Sequence, residues 1–272
     1  MAGRAGMEGA ACEMPMARFA VLLLLTPWSA FAQSPFDGTW RIDPASLQVP
    51  PAPAEFLLAG GRFQCTGCTG NLSIQADGRD HRIPDSAYWN SASVRSLDAF
   101  SLQIRTKKDG KTFYTETDTL SADSNELTQL VQDTTEAEMV TTETRFHRIG
   151  KGPAGAHRIS GSWRAYLVVR SENSLLIRYK CTAEGFRAET PLGERYYAKF
   201  DGKFVPVEDD PGQTMVAAKR IDERTIETTT KRGGRITGGA RLTVRADNQT
   251  LDFVNHDASG RQTGSVIMRK QP

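Results

Sequence analysis

The four residues Asp37-Gly-Thr-Trp40 return almost unchanged as Ser160-Gly-Ser-Trp163. Gly38, Trp40 and Arg41 recur 123 residues on as Gly161, Trp163 and Arg164. Further along the shift becomes 124 and holds, from Gly61 with Gly185 and Asp77-Gly78 with Asp201-Gly202 to Lys107 with Lys231, Gly110 with Gly234, Leu127 with Leu251 and Asp133 with Asp257. A repeat of this period constrains the fold more than any bulk property, because a unit of about 110 residues is an ordinary domain written twice. Between the copies lies Gly150-Lys-Gly-Pro-Ala-Gly-Ala-His157, rich in residues that end regular structure. The repeats are therefore cut at residues 33–150 and 158–272, with 151–157 as linker.

Within a unit the pattern is strand and turn. In the second, residues 162–170, 175–181, 186–190 and 195–200 are rich in aromatic and β-branched side chains and are separated by Ser-Glu-Asn-Ser, Ala-Glu-Gly and Asp-Gly turns. Residues 214–221, 225–231, 235–245, 250–255 and 264–270 follow in the same manner. Strands joined by short breaks become antiparallel neighbours, and a long meander of them removes its edges by closing. The expected fold is all-β: two tandem antiparallel up-and-down barrels of about 8–10 strands each. Alternation places Ile226, Leu242, Val244, Leu251, Phe253, Val266 and Met268 inside, and Arg241, Thr243, Arg245 and Asp252 outside. Charged outward positions argue against an outer-membrane barrel, whose outside is apolar.

Ahead of the repeats, Met16-Ala-Arg18, the apolar run Phe19 to Leu25, and Ala30-Phe-Ala32 supply the basic start, short apolar core and small-x-small site of a secretory signal. Cleavage is expected after Ala32, with residues 1–15 an upstream extension, and the mature chain is expected to be periplasmic or secreted. The apolar run is too short for a membrane span, which needs about 20 residues. Lys+Arg 34 against Asp+Glu 32 leaves a formal net charge of +2 with no long run of one sign, so nucleic acid, which needs a concentrated basic face, is not an expected partner.

Gly38-x-Trp40 and Gly161-x-Trp163, each opening the first strand of such a meander, resemble the calycins, the lipocalins and intracellular fatty-acid-binding proteins. Lys107-Lys-Asp-Gly-Lys111 followed by Thr115 to Asp123 is similar to the later hairpins of the fatty-acid-binding branch, and the whole resembles secreted bacterial proteins with tandem lipocalin-like units. The resemblance implies that each Trp packs across the closed end of its barrel against a basic residue of the last strand: Trp40 with Arg145 or Arg148, and Trp163 with Arg269. The Pro-rich stretch after the first strand of unit one and the absence of a helical lid depart from that pattern.

In an exported chain Cys65-Thr-Gly-Cys68 is expected to be a disulfide; a redox pair or half a zinc site are the alternatives, but no helix start or second ligand pair accompanies it. Cys181 then remains as an odd thiol. His81, His147, His157 and His256 share no metal-binding or catalytic spacing, no nucleophile elbow occurs, and Glu208-Asp-Asp-Pro-Gly212 reads as a solvated turn. No metal, cofactor or enzymatic activity is expected. One difference separates the repeats: the apolar positions Ala240, Leu242 and Val244 correspond to Glu116, Asp118 and Leu120. Either a bulge shifts the register there, or the first barrel has a polar interior and the second a packed or greasy one. The functional expectation is a non-enzymatic binding protein holding a small apolar or amphipathic ligand, with Tyr114, Glu116, Asp118, Phe253 and Met268 as candidate contacts. The alternative is a structural or envelope-interaction protein with filled barrels.

Overall fold

A computed structural model describes residues 33–48, 52–66, 72–84, 86, 88–135 and 139–272. The segment expected to be a secretory signal lies outside them. Ten strands come from each repeat. The first contributes β1 (Gly38–Gln48), β2 (Ala54–Ala59), β3 (Arg62–Thr66), β4 (Ser73–Gln75), β5 (His81–Arg82), β6 (Ser91–Ser96), β7 (Ser101–Lys108), β8 (Lys111–Leu120), β9 (Glu126–Asp133) and β10 (Val140–Lys151). The second contributes β11 (Gly161–Arg170), β12 (Leu176–Cys181), β13 (Gly185–Glu189), β14 (Arg195–Lys199), β15 (Val205–Pro206), β16 (Met215–Arg220), β17 (Thr225–Arg232), β18 (Arg235–Val244), β19 (Thr250–Asp257) and β20 (Gln262–Lys270). All pairings are antiparallel, in two ten-stranded, nearly closed sheets of up-and-down topology. Isolated bridges Asp77↔Arg95 and Arg195↔Glu208 draw the free edges together.

The sheets do not follow the repeats. The first barrel consists of β2 to β11 and the second of β1 with β12 to β20. Strand β1 lies between β12 and β20, while β11 lies between β2 and β10. Each repeat thus hands its first strand to the other, and the cut at 150/158 separates the repeats without separating the barrels. The exchange reaches the cores. Trp40 packs with Tyr179, Phe186, Leu242 and Met268, whereas Trp163 packs with Phe56, Phe63, Leu102 and Phe146.

The opening word of each repeat has a geometric reason. Both tryptophans are fully buried, and each indole N–H donates to the carbonyl four residues earlier, Phe36 at 2.8 Å and Ile159 at 2.9 Å. Gly161 has φ +144°, and a Cβ there would stand 2.3 Å from the Gly150 carbonyl oxygen, so only glycine fits where β11 meets β10. The residue before each glycine pins the neighbouring strand: Asp37 accepts the Cys181 N–H at 2.7 Å, and Ser160 Oγ accepts that of Leu58 at 2.9 Å. The central hairpins also match. Asp109-Gly110 joins β7 to β8 and Gly233-Gly234 joins β17 to β18, with positive φ at both residues of each pair, as tight β-turns require.

The period-two assignment holds late in the second repeat. Ile226, Leu242, Val244, Leu251 and Met268 are buried, while Arg241 pairs with Glu227 and Arg245 with Asp252 on the outer face.

The basic partners of the tryptophans differ from those expected. Arg148 stacks its guanidinium 4.1 Å over Trp163, and the Lys270 ammonium lies 5.3 Å from Trp40. Arg269 instead bonds Thr250 at 2.9 Å, and Arg145 forms an outer ion pair with Glu143 at 2.7 Å. The cause is the exchange: β11 lies against β10, and β1 against β20, so each Trp meets the last strand of the other repeat.

Candidate binding cavities

The inner surface of the first barrel encloses a cavity of about 300 Å³, with Phe56, Phe63, Trp89, Tyr114, Glu116 and Gln129 among its walls. The ladder fixes which side chains point inward. Ile104 pairs with Glu116, Leu102 with Asp118, and Asp118 with Gln129. In the second barrel Thr228 pairs with Ala240, Ile226 with Leu242, and Leu242 with Phe253. The registers coincide, and the bulges lie at matching points nearer the turns, after Thr106 and Thr230. No bulge turns the carboxyls outward. Glu116, Asp118 and Gln129 therefore occupy the inward positions that Ala240, Leu242 and Phe253 fill in the second barrel.

The electrostatics follow from burial. Gln129 Nε2 donates to Glu116 Oε1 at 2.9 Å. Asp118, the next inward position along β8, is fully buried behind the cavity wall rather than on it, and neither of its oxygens has a hydrogen-bond partner among the described residues. Burial pushes the Glu116 carboxyl well above the usual range, Asp118 adds to the rise, and the Gln129 hydrogen bond opposes it. Burial likewise raises Asp118, and the nearby Gln129 side chain opposes the rise. Tyr114 is pushed up by burial, then by Glu116, so its hydroxyl stays a donor.

The second barrel holds a larger cavity of about 560 Å³. Of the two expected interiors, packed or greasy, the second barrel therefore lacks the packed one. Toward the open end the inward positions of β17 and β18 are Thr228, Thr230 and Gly238, which contribute little volume. A Cβ on Gly239 would come 2.0 Å from the Thr228 carbonyl oxygen, so the strands approach too closely for a larger residue. Gly238 corresponds to Tyr114, which accounts for part of the difference in volume. Tyr179 and Tyr196 line the second cavity, and burial raises both hydroxyls.

Of the expected contacts, Tyr114 and Glu116 line the first cavity and Phe253 the second, while Asp118 points inward but lies buried behind the first cavity's wall. Met268 does not line a cavity: it packs in the core, its sulfur 3.9 Å from the Tyr179 hydroxyl. It falls there because β20 pairs its position with Ile42 of β1, beside Trp40. Cys65 is buried on β3 against the first cavity, while Cys68 lies outside the described residues. Cys181 is a buried thiol that accepts a contact from Arg220 Nη2 at 2.8 Å. The acidic stretch at 208–212 is a turn in which Arg195 pairs with Glu208 and Asp209 and Asp210 accepts two backbone N–H groups.

Three contributors escaped the sequence reading. Gln129 carried a signal, lying two residues beyond Leu127 and hence on the same face. Tyr88 and Trp89, on the segment between β5 and β6, carried none. Trp89 lines the first cavity and its neighbour Tyr88 the second, where Arg232 donates to the Tyr88 hydroxyl and lies 4.5 Å over its ring. No family model, curated protein or solved structure matches the chain.

Proposed function

We propose that this is an exported, non-enzymatic binding protein of lipocalin-like build that carries a small apolar or amphipathic molecule inside its barrels. One observation carries the reading: both barrels are packed around a tryptophan at one end and hollow beyond it, with about 300 and 560 Å³ unfilled. Interiors normally pack to near-crystalline density, and unfilled space of this size costs stability unless a ligand occupies it. Aromatic and aliphatic walls with a few convergent polar groups suit such an occupant.

Native mass spectrometry of the protein taken from its own compartment, with the denatured mass in parallel, tests the proposal. An added mass of a few hundred daltons that is lost on denaturation is the expected result. A bare mass, together with no saturable thermal shift by fatty acids or a hydrophobic dye, would overturn it and favour a structural protein working through its outer faces.

A further inference from the structure

The geometry points to a ligand class for the first barrel: a small amine with an apolar body, its ammonium held at Glu116, with the Asp118 carboxyl buried behind it, beneath aromatic walls. The inference rests on the binding reading above and adds the head group to it.

Three observations lead there. First, the polar set is confined to one barrel. The same three inward positions are Glu116, Asp118 and Gln129 in the first and Ala240, Leu242 and Phe253 in the second, with equal registers, so the fold itself does not require the carboxyls. Second, the set is incomplete. Glu116 has the Gln129 amide, but Asp118 is wholly buried, is directed into the barrel beside Gln129, and has two oxygens without a partner. Buried carboxyls are ordinarily paired or bonded, and each unmet acceptor costs stability. A donor bearing several N–H bonds and a positive charge supplies what is missing; an alcohol supplies one bond, and an anion adds repulsion. Third, the walls above are Trp89 and Tyr114, with ring centroids 5.4 Å apart in an edge-to-face arrangement, and aromatic faces attract ammonium groups.

The protein does not supply the cation itself. The groups facing the carboxyls from neighbouring strands are Leu102, Ile104 and Thr106 on β7 and Leu127, Gln129 and Val131 on β9. Asp133 pairs with Tyr114 on the same inner face near the open end, and Arg170 pairs with Thr142, itself opposite Val131. Arg170 is held near Asp133, whose charge favours it against burial. Neither it nor any other cation forms a salt bridge with Glu116 or Asp118 among the described residues.

The test uses three probes of equal length on the full mature chain at neutral pH: n-hexylamine, 1-hexanol and hexanoate, each measured by calorimetric titration and thermal shift. Hexylamine is expected to bind at least about tenfold more tightly than hexanol, the difference a charge-assisted hydrogen bond makes over a neutral one, with hexanoate weakest. In Glu116→Gln/Asp118→Asn, hexylamine and hexanol should bind within about threefold of each other. Asp118→Leu, which installs the residue of position 242, gives a second variant should the amide pair fail to fold. Equal binding of amine and alcohol, or an amine preference that survives both variants, overturns the head-group assignment while the binding reading stands. No binding of any probe, with no thermal shift, overturns both.

Discussion

Replacing Asp118 with leucine is expected to stabilise the protein, although it deletes a charged residue in favour of an apolar one at the centre of a barrel. Asp118 is fully buried, and neither of its oxygens makes a hydrogen bond among the described residues, so its carboxyl bears the cost of desolvation. Removing an unsatisfied buried polar group recovers about 1–3 kcal/mol, and the added methyl groups contribute about 1–2 kcal/mol of apolar burial. Leu242 shows the same ladder position of the second barrel filled by leucine. For a chain of this size about 1 kcal/mol moves Tm by roughly 2–4 °C, so a rise of about 5–15 °C at neutral pH is expected. The gain depends on pH. Burial raises the Glu116 and Asp118 carboxyls, so between the ordinary carboxylate range and their raised values the native state holds protons the unfolded chain has released. Stability from these groups is therefore greatest in acid and is lost as pH climbs through their folded-state values. Differential scanning calorimetry from about pH 4 to pH 8 should show the advantage of Asp118→Leu growing with pH. A lower Tm at neutral pH would mean that the carboxylate is satisfied in the native state, and the argument would fail.

Asp37→Ala strands the buried Cys181 N–H and removes the acceptor of the Lys180 ammonium at 2.6 Å, so denaturant titration should show a loss of about 1–3 kcal/mol, with Asp37→Ser recovering part of it. Gly161→Ala should lower Tm steeply because its Cβ would collide with the Gly150 carbonyl, whereas Gly110→Ala, with nothing within 4 Å, bears only the cost of its positive φ; equal effects would refute the role given to the β10–β11 approach. Tyr88→Ala should open the second cavity, read as faster dissociation of a hydrophobic dye in stopped flow; an unchanged rate would remove Tyr88 from the wall. Expressed with its expected signal segment, the protein should give an intact mass that corresponds to a chain beginning at Gln33 and lies about 2 Da below the all-thiol value, as a Cys65–Cys68 bond requires.

Much of the candidate site was legible from alternation alone. Counting by two along β8 reaches Tyr114, Glu116 and Asp118 in turn, and the repeat shift exposes their contrast with Gly238, Ala240 and Leu242. Whether the carboxyls truly face inward depended on register, which inter-strand pairing sets and a single bulge between 114 and 118 would have reversed. Trp89 and Tyr88 were invisible because they sit on a segment without periodicity, and their place is decided by what the two barrels bring near them.

The all-β class, the repeat, the strand order within each repeat and the inward face are local properties, written in alternation and turn residues such as Asp109-Gly110 and Gly233-Gly234. The exchange of β1 and β11 is not. Both strands begin with the same Gly-x-Trp, so local propensity is indifferent to which sheet receives them. The tertiary structure distinguishes them by contacts far apart in sequence: Asp37 finds Lys180 and the Cys181 N–H on β12, where the first repeat offers Leu57 and Leu58, and Ser160 meets Leu58 instead. A charge buried beside its counter-ion is tolerated where a charge buried beside leucine is not, and that difference in desolvation acts only once distant strands have met.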